Sequence, residues 1–291
     1  MSGTFAAERA RLLALADEAL RRHAPRAADV SPRLDAAMRH ALDAGGKRLR
    51  PLLCLAAAEA VRPGAAAEAG RAAAALECVH TYSLIHDDLP CMDDAATRRG
   101  KPTVHVAFDQ ATAVLAGDGL LAHAFALTAD HEPETARDLT ALLAAAAGPS
   151  RLVGGQMEDT IGLAGGASRA RLDVIQRGKT AAMIAASLLM GARVAGKRDD
   201  GALAAAGDAL GRAFQVADDL LDLEGDAALL GKPAGTDAAK GKLTLHGLEG
   251  AEAARAELRA LTEAYVRGLA EAGLRPDFLA ELGRSLVDRR S

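Results

Sequence analysis

The sequence predicts an all-α fold, a single large helical bundle around a central cavity. Half of the 291 residues are apolar, enough for a sizeable core. Ala and Leu dominate that half, with five Phe, two Tyr and no Trp. Runs such as Ala72-Ala73-Ala74-Ala75-Leu76 and Leu142 to Ala147 combine high helix propensity with almost no β-branching.

Taken in order, Thr4 to Arg22 reads as an amphipathic helix. Glu8, Arg9, Arg11, Asp17 and Glu18 interrupt it, so it holds no signal-peptide core. Pro25 and Ser31-Pro32 end it, and Gly45-Gly46 ends the next. Pro63-Gly64 precedes a long helix over Ala66–Asp88. Further breaks fall at Pro90, Gly100 to Pro102, Glu132-Pro133, Gly148-Pro149 and Gly165-Gly166. A second long helix spans Ala202–Asp222. Gly231 to Lys242 is the one long stretch rich in Gly and polar residues, placed like a lid after that helix. No composition shift or fixed-period repeat divides the chain. Residues 1–291 therefore read as one domain of roughly ten or more helices.

The net charge of −4 is small, and no basic run is interleaved with aromatics, so nucleic acid is not an expected partner. Cys54, Cys78 and Cys91 lack CxxC spacing and sit among apolar neighbours, so all three read as buried free thiols of a reducing cytoplasm. Apolar stretches such as Ala181 to Met190 are about half of the ~20 residues that a membrane span needs.

Two aspartate clusters end the two long helices: Asp87-Asp88 with Asp93, and Asp218-Asp219 with Asp222. Three carboxylates gathered at a helix end repel by roughly 3 kcal/mol per pair at ~5 Å and an effective dielectric near 20, unless a cation lies between them. Hard oxygens without thiolate or imidazole suit Mg²⁺, which joins a few carboxylates to phosphates. Asp218 and Asp222 share a helix face. Asp87 and Asp93 do not, and Pro90 lies between them, so the helix must bulge or end for Asp93 to join; if it stayed helical, Asp94 would be better placed.

Cations surround these clusters. Gly45-Gly46-Lys47-Arg48-Leu49-Arg50-Pro51 places Lys47 and Arg50 where one helix ends and another begins, a setting for anions. His80, seven residues before Asp87, faces the same side. Arg98 and Arg99 are adjacent and point different ways, so each can hold a different anion. Lys179-Thr180 opens an apolar helix, Gln215 lies one turn before Asp218, and Lys232 and Lys242 frame the lid. This inventory exceeds the needs of one metal-bound polyphosphate and fits two anionic substrates.

The motifs GGKRLRP, HTYSLIHDDLPCMDD, RRGKPT, GGQMED, KT, FQVADDLLD, LGKP and DAAKGK, in this order, resemble those of the trans-isoprenyl (polyprenyl) diphosphate synthases, most like the bacterial farnesyl type. The resemblance implies the isoprenoid synthase fold, a homodimer, and head-to-tail joining of isopentenyl diphosphate to an allylic diphosphate. By resemblance, Asp87, Asp93 and Asp218, supported by Asp88, Asp219 and Asp222, bind about three Mg²⁺ ions that grip the allylic diphosphate. Arg98, Lys179 and Lys232 complete that grip, with Lys242 nearby. Lys47, Arg50, His80 and Arg99 hold isopentenyl diphosphate, and Thr180 and Gln215 face the allylic cation. Tyr82, five residues before Asp87, with Ser83 beside it, implies a tunnel floor that stops growth at fifteen carbons; smaller residues there would imply the twenty-carbon geranylgeranyl product. Ala95-Ala96-Thr97 departs from the acids and leucine of many relatives. A terpene cyclase would lack the second diphosphate site, and a non-catalytic regulatory subunit would have lost carboxylates or cations. The tail Leu286 to Ser291 is expected to fold over the site.

Overall fold

The computed structural model describes residues 3–198, 201–224 and 242–287. Its helices are α1 (Gly3–His23), α2 (Pro32–Leu42), α3 (Leu49–Val61), α4 (Gly70–Asp87), α5 (Val104–Ala107), α6 (Gln110–Ala129) and α7 (Pro133–Ala147). There follow α8 (Leu152–Ile161), α9 (Arg169–Ile175), α10 (Ala182–Val194), α11 (Ala202–Glu224), α12 (Leu245–Glu249), α13 (Ala251–Glu271) and α14 (Asp277–Val287). A two-stranded hairpin, β1 (Thr97–Arg98) and β2 (Lys101–Pro102), is the one β element among the described residues. Lys232, the rest of the lid segment before Lys242, and the tail beyond Val287 lie outside them.

Side-chain caps start several helices. Ser31, Asp109, Ser168 and Thr244 each accept a backbone N–H in the first turn of α2, α6, α9 and α12. The small residues have a packing role. A Cβ at Gly191 would meet the Cys54 carbonyl carbon at 2.8 Å, one at Gly211 would meet the Ala181 Cβ at 2.7 Å, and one at Gly268 the Ala206 Cβ at 2.9 Å. Neighbouring helices thus approach backbone to backbone, and the alanine-rich composition becomes close packing.

At the centre, α4 is buried along most of its length from Ala72 to Val79 and packs against α1, α3, α6 and α10. It therefore carries whatever it bears at its C-terminal end as a rigid post. Arg169 and Arg212 meet Asp173 and Glu257, and Arg169 also meets Glu249, tying α9, α11, α12 and α13 together under the second carboxylate cluster.

Three expectations change. Cys54 and Cys78 are buried, but Cys91 is exposed, because it lies in the loop after α4 rather than in a helix. Lys179 and Thr180 lie within a π-helical turn, Gln176–Ala181, that precedes α10. Finally, α6 is long and apolar enough by composition to cross a membrane, alone among the described helices; here it packs on α2, α4 and α7.

Candidate active site

The first cluster begins where α4 stops. The helix ends at Asp87, and the chain folds back so that Asp93 N–H donates to the Asp87 carbonyl at 2.8 Å and Ala95 N–H to the Asp88 carbonyl at 3.1 Å. That return brings Asp93 beside Asp87, while Asp94 takes a left-handed conformation (φ 50°) and is exposed. Burial pushes the Asp87 carboxyl up to about 6; Lys179 pulls it back, and Asp93 pushes it further up. A buried carboxylate with a like-charged neighbour asks for a cation.

Asp88 has a different employment. Arg98 Nε lies 2.9 Å from both of its carboxylate oxygens and Nη2 lies 2.7 Å from Oδ1, so Asp88 anchors Arg98 at the mouth of the hairpin. Arg99, as expected of its neighbour, turns the other way and donates to the Gly45 carbonyl. Both glycines of the Gly45-Gly46 pair have positive φ, and a Cβ at Gly46 would meet the Arg99 guanidinium at 2.5 Å. Glycine is thus required there both by the turn and by the arginine.

A cavity of about 430 Å³ gathers Lys47, Arg98 and Arg99 from one side, Lys179 from the π turn, Gln215, Asp218 and Asp219 from α11, and Lys242. Thr180 Oγ1 donates to Gln215 Oε1 at 3.0 Å, and Gln215 Nε2 donates to Asp219 at 3.0 Å. The two neutral residues therefore form a relay that orients a carboxylate. Asp222 is buried one turn further along α11. Arg50 and His80 do not line this cavity. Burial lowers the Arg50 guanidinium to about 10 against the pull of Glu77, and burial with Arg50, Arg99, Arg98 and Arg48 nearby holds His80 well below its ordinary range.

Two further cavities adjoin the first. One of about 260 Å³ shares Asp159 and Lys242 with it and includes Asp93. The next, about 410 Å³ and mostly apolar, shares Met92, Gln156 and Thr160 with the second and runs past Asp87 to Tyr82, Ser83 and His86. Through these shared lining residues the charged cavity neighbours the second, and the second neighbours the apolar chamber. Tyr82 is 6% exposed, with its ring 5.8 Å from that of His86.

The sequence reading missed Asp159, whose carboxylate lies 2.6 Å from Lys179 Nζ, and Gln156. Their signal was present in GGQMED, where Gln156 and Asp159 are three apart on one face of α8. The glycines of that motif let α8 lie close against the π turn: a Cβ at Gly155 would fall 2.8 Å from the Gly178 carbonyl carbon, just before Lys179. Among the described residues no three carboxylates converge into a ready-made ion cage. Asp93 lines one cavity and Asp218 and Asp219 line its neighbour, an arrangement that fits Mg²⁺ held by one or two carboxylates together with phosphate oxygens.

The polyprenyl synthetase family model matches residues 31–277. The chain is 42% identical to the farnesyl diphosphate synthase of Geobacillus stearothermophilus, over 82% of this chain and 83% of that one. It is 45% identical to geranylgeranyl pyrophosphate synthase 11, chloroplastic, of Arabidopsis thaliana, over 75% and 64%. The crystal structure of the Helicobacter pylori geranyltransferase complexed with magnesium and isoprenyl diphosphate superposes with a TM-score of 0.84 at 32% identity, covering 100% of this chain and 98% of that one. With the all-helical architecture, the two carboxylate clusters and the cation-lined cavity, these likenesses establish that the chain belongs to the polyprenyl synthetase family.

Proposed function

We propose that this enzyme is a prenyltransferase that condenses isopentenyl diphosphate with dimethylallyl and geranyl diphosphates to give farnesyl diphosphate and pyrophosphate, with residues 1–291 acting as one polyprenyl synthetase domain. The observation that carries the reading is the row of neighbouring cavities, from one lined by carboxylates and cations to an apolar chamber lined by Tyr82. Bound Mg²⁺, about three ions, would neutralise the allylic diphosphate and make pyrophosphate a good leaving group. Asp87, Asp93 and Asp218, supported by Asp88, Asp219 and Asp222, are the residues to hold it.

Lys179, fixed by Asp159, and Arg98, fixed by Asp88, face the leaving diphosphate and need no reorganisation as charge develops. Lys232 and Lys242 are assigned to the same grip. Lys47, Arg50, His80 and Arg99 are assigned to isopentenyl diphosphate. Neutral Thr180 and Gln215 border the forming cation without quenching it, while apolar walls keep water away. The final proton goes to the departing pyrophosphate.

We further read the enzyme as a cytoplasmic homodimer. The free thiols of Cys54, Cys78 and Cys91 accord with a reducing compartment, and Val106, Val114 and Leu115 expose apolar surface along α5 and α6 that a second copy would cover. The deciding experiment supplies purified protein with isopentenyl diphosphate, Mg²⁺ and each allylic starter, and reads chain length after dephosphorylation. A fifteen-carbon product is expected. A twenty-carbon product would place the floor deeper than Tyr82, and no condensation would overturn the assignment.

A further inference from the structure

Behind Tyr82 stands a second side chain with a defined seat. His86 is one turn further along α4, lines the same apolar chamber, and meets Tyr82 edge to face with the ring planes at 77°. Its Nε2 lies 3.1 Å from the Val114 carbonyl of α6 and 4.0 Å from Asp118. The seat exists because residue 117 has no side chain. A Cβ there would fall 2.6 Å from His86 Cδ2 and 2.8 Å from Cε1, and nearer still to Nε2. Gly117 is helical and buried, with no positive φ to explain it, so the room it leaves for the imidazole is its evident role.

We infer that the His86–Gly117 contact is a specificity-determining element: Gly117 lets the His86 ring dock on α6, and the docked ring supports Tyr82 and sets how much of the chamber a growing prenyl chain can enter. This rests on the prenyl-transfer reading above and adds to it a determinant shared between two helices. Removing the ring opens space beside Tyr82. Filling residue 117 drives the ring off the Val114 carbonyl and into the chamber.

The test compares product chain length for the unmodified enzyme, His86→Ala, Gly117→Ala and the double variant, each with isopentenyl diphosphate, Mg²⁺ and, in separate reactions, dimethylallyl or geranyl diphosphate. His86→Ala is expected to raise the ratio of twenty- to fifteen-carbon product by about tenfold, the scale of discrimination when a hydrophobic pocket gains room for more methylenes. Gly117→Ala shifts products shorter, toward ten carbons from a dimethylallyl starter. In the double variant the clash has no partner, so its distribution matches that of His86→Ala. An unchanged distribution in His86→Ala, or a double variant that keeps the shortening, overturns the inference while leaving prenyl transfer intact. Should Gly117→Ala fail to fold, His86→Ala and the double variant decide. Absence of condensation by the unmodified enzyme overturns the prenyl-transfer reading itself.

Discussion

Arg48 faces away from the cavity that its neighbours serve, and its removal should be felt in both stability and substrate binding. It is the N-cap residue of α3 in a left-handed conformation (φ 48°, ψ 37°). Nη1 donates to Glu77 Oε1 at 2.9 Å, Nη2 to the Leu42 carbonyl at 2.8 Å, and Nε to Asp17 Oδ1 at 3.3 Å. The Glu77 side chain is 2% exposed and its second oxygen has no hydrogen-bond partner. Arg48→Met would leave that carboxylate buried and unpaired, a loss of about 3–5 kcal/mol. The Asp17 pair, half exposed, adds little, about 0–1 kcal/mol. At about 2–4 °C per kcal/mol for a chain of this class, Tm should fall by about 10 °C. Far-UV circular dichroism at one fixed protein concentration reads this directly. Because Lys47 and Arg50 flank the lost anchor, KM for isopentenyl diphosphate should rise more than KM for the allylic substrate. Adding Glu77→Gln should recover part of the loss by removing the stranded charge. A Tm within about 2 °C of the unmodified enzyme would refute the claim that this pair is a net structural anchor.

Other outcomes follow from the same geometry. Asp159→Asn loosens Lys179 and should lower kcat/KM for the allylic substrate about tenfold, equivalent to about 1.4 kcal/mol; unchanged steady-state kinetics would remove Asp159 from the site. Tyr82→Ala should lengthen the product, read by chromatography of the dephosphorylated prenols. Chelation of divalent cations should abolish turnover while the helical signal persists, since the core is built without metal. His80 is held well below its ordinary value of 6.5, and burial lowers His23 and His131 too. In the unfolded chain these groups bind protons that the folded chain refuses, so stability should fall as pH drops below 6.5. Thermal unfolding at descending pH should show that fall, and His80→Gln should make it shallower; an equal slope would count against His80.

Much of the architecture was legible because it depends on local chemistry. Pro90 marked the break after the helix carrying Asp87, and Pro25 with Ser31-Pro32 marked the break between α1 and α2. The adjacent arginines separated as their spacing required. What escaped depends on tertiary contact. Nothing in Gln176 to Ala181 itself calls for a π turn, and the close approach of Gly155 to Gly178 that accompanies it joins segments whose contact the sequence does not display. The pairing of Asp88 with Arg98, which meets both carboxylate oxygens, was likewise not readable from the sequence, since it joins the end of α4 to the hairpin. Glu77 was invisible for a similar reason, since only packing reveals that an acid within an apolar helix has an arginine waiting. Lys232 lies outside the described residues.

The position of α4 also constrains how such an enzyme can change over generations. Glu77, His80, Tyr82, Ser83, His86 and Asp87 all project from this one helix, each toward a different task. Inserting a single residue within it would rotate everything beyond by about 100°, exchanging the anchor, the chamber wall and the carboxylate at one stroke. Heritable variation in product length must therefore come from exchanging side chains at fixed positions. Added residues are tolerable only past Asp88, where the chain has already left the helix and Pro90 and Cys91 extend the return to Asp93.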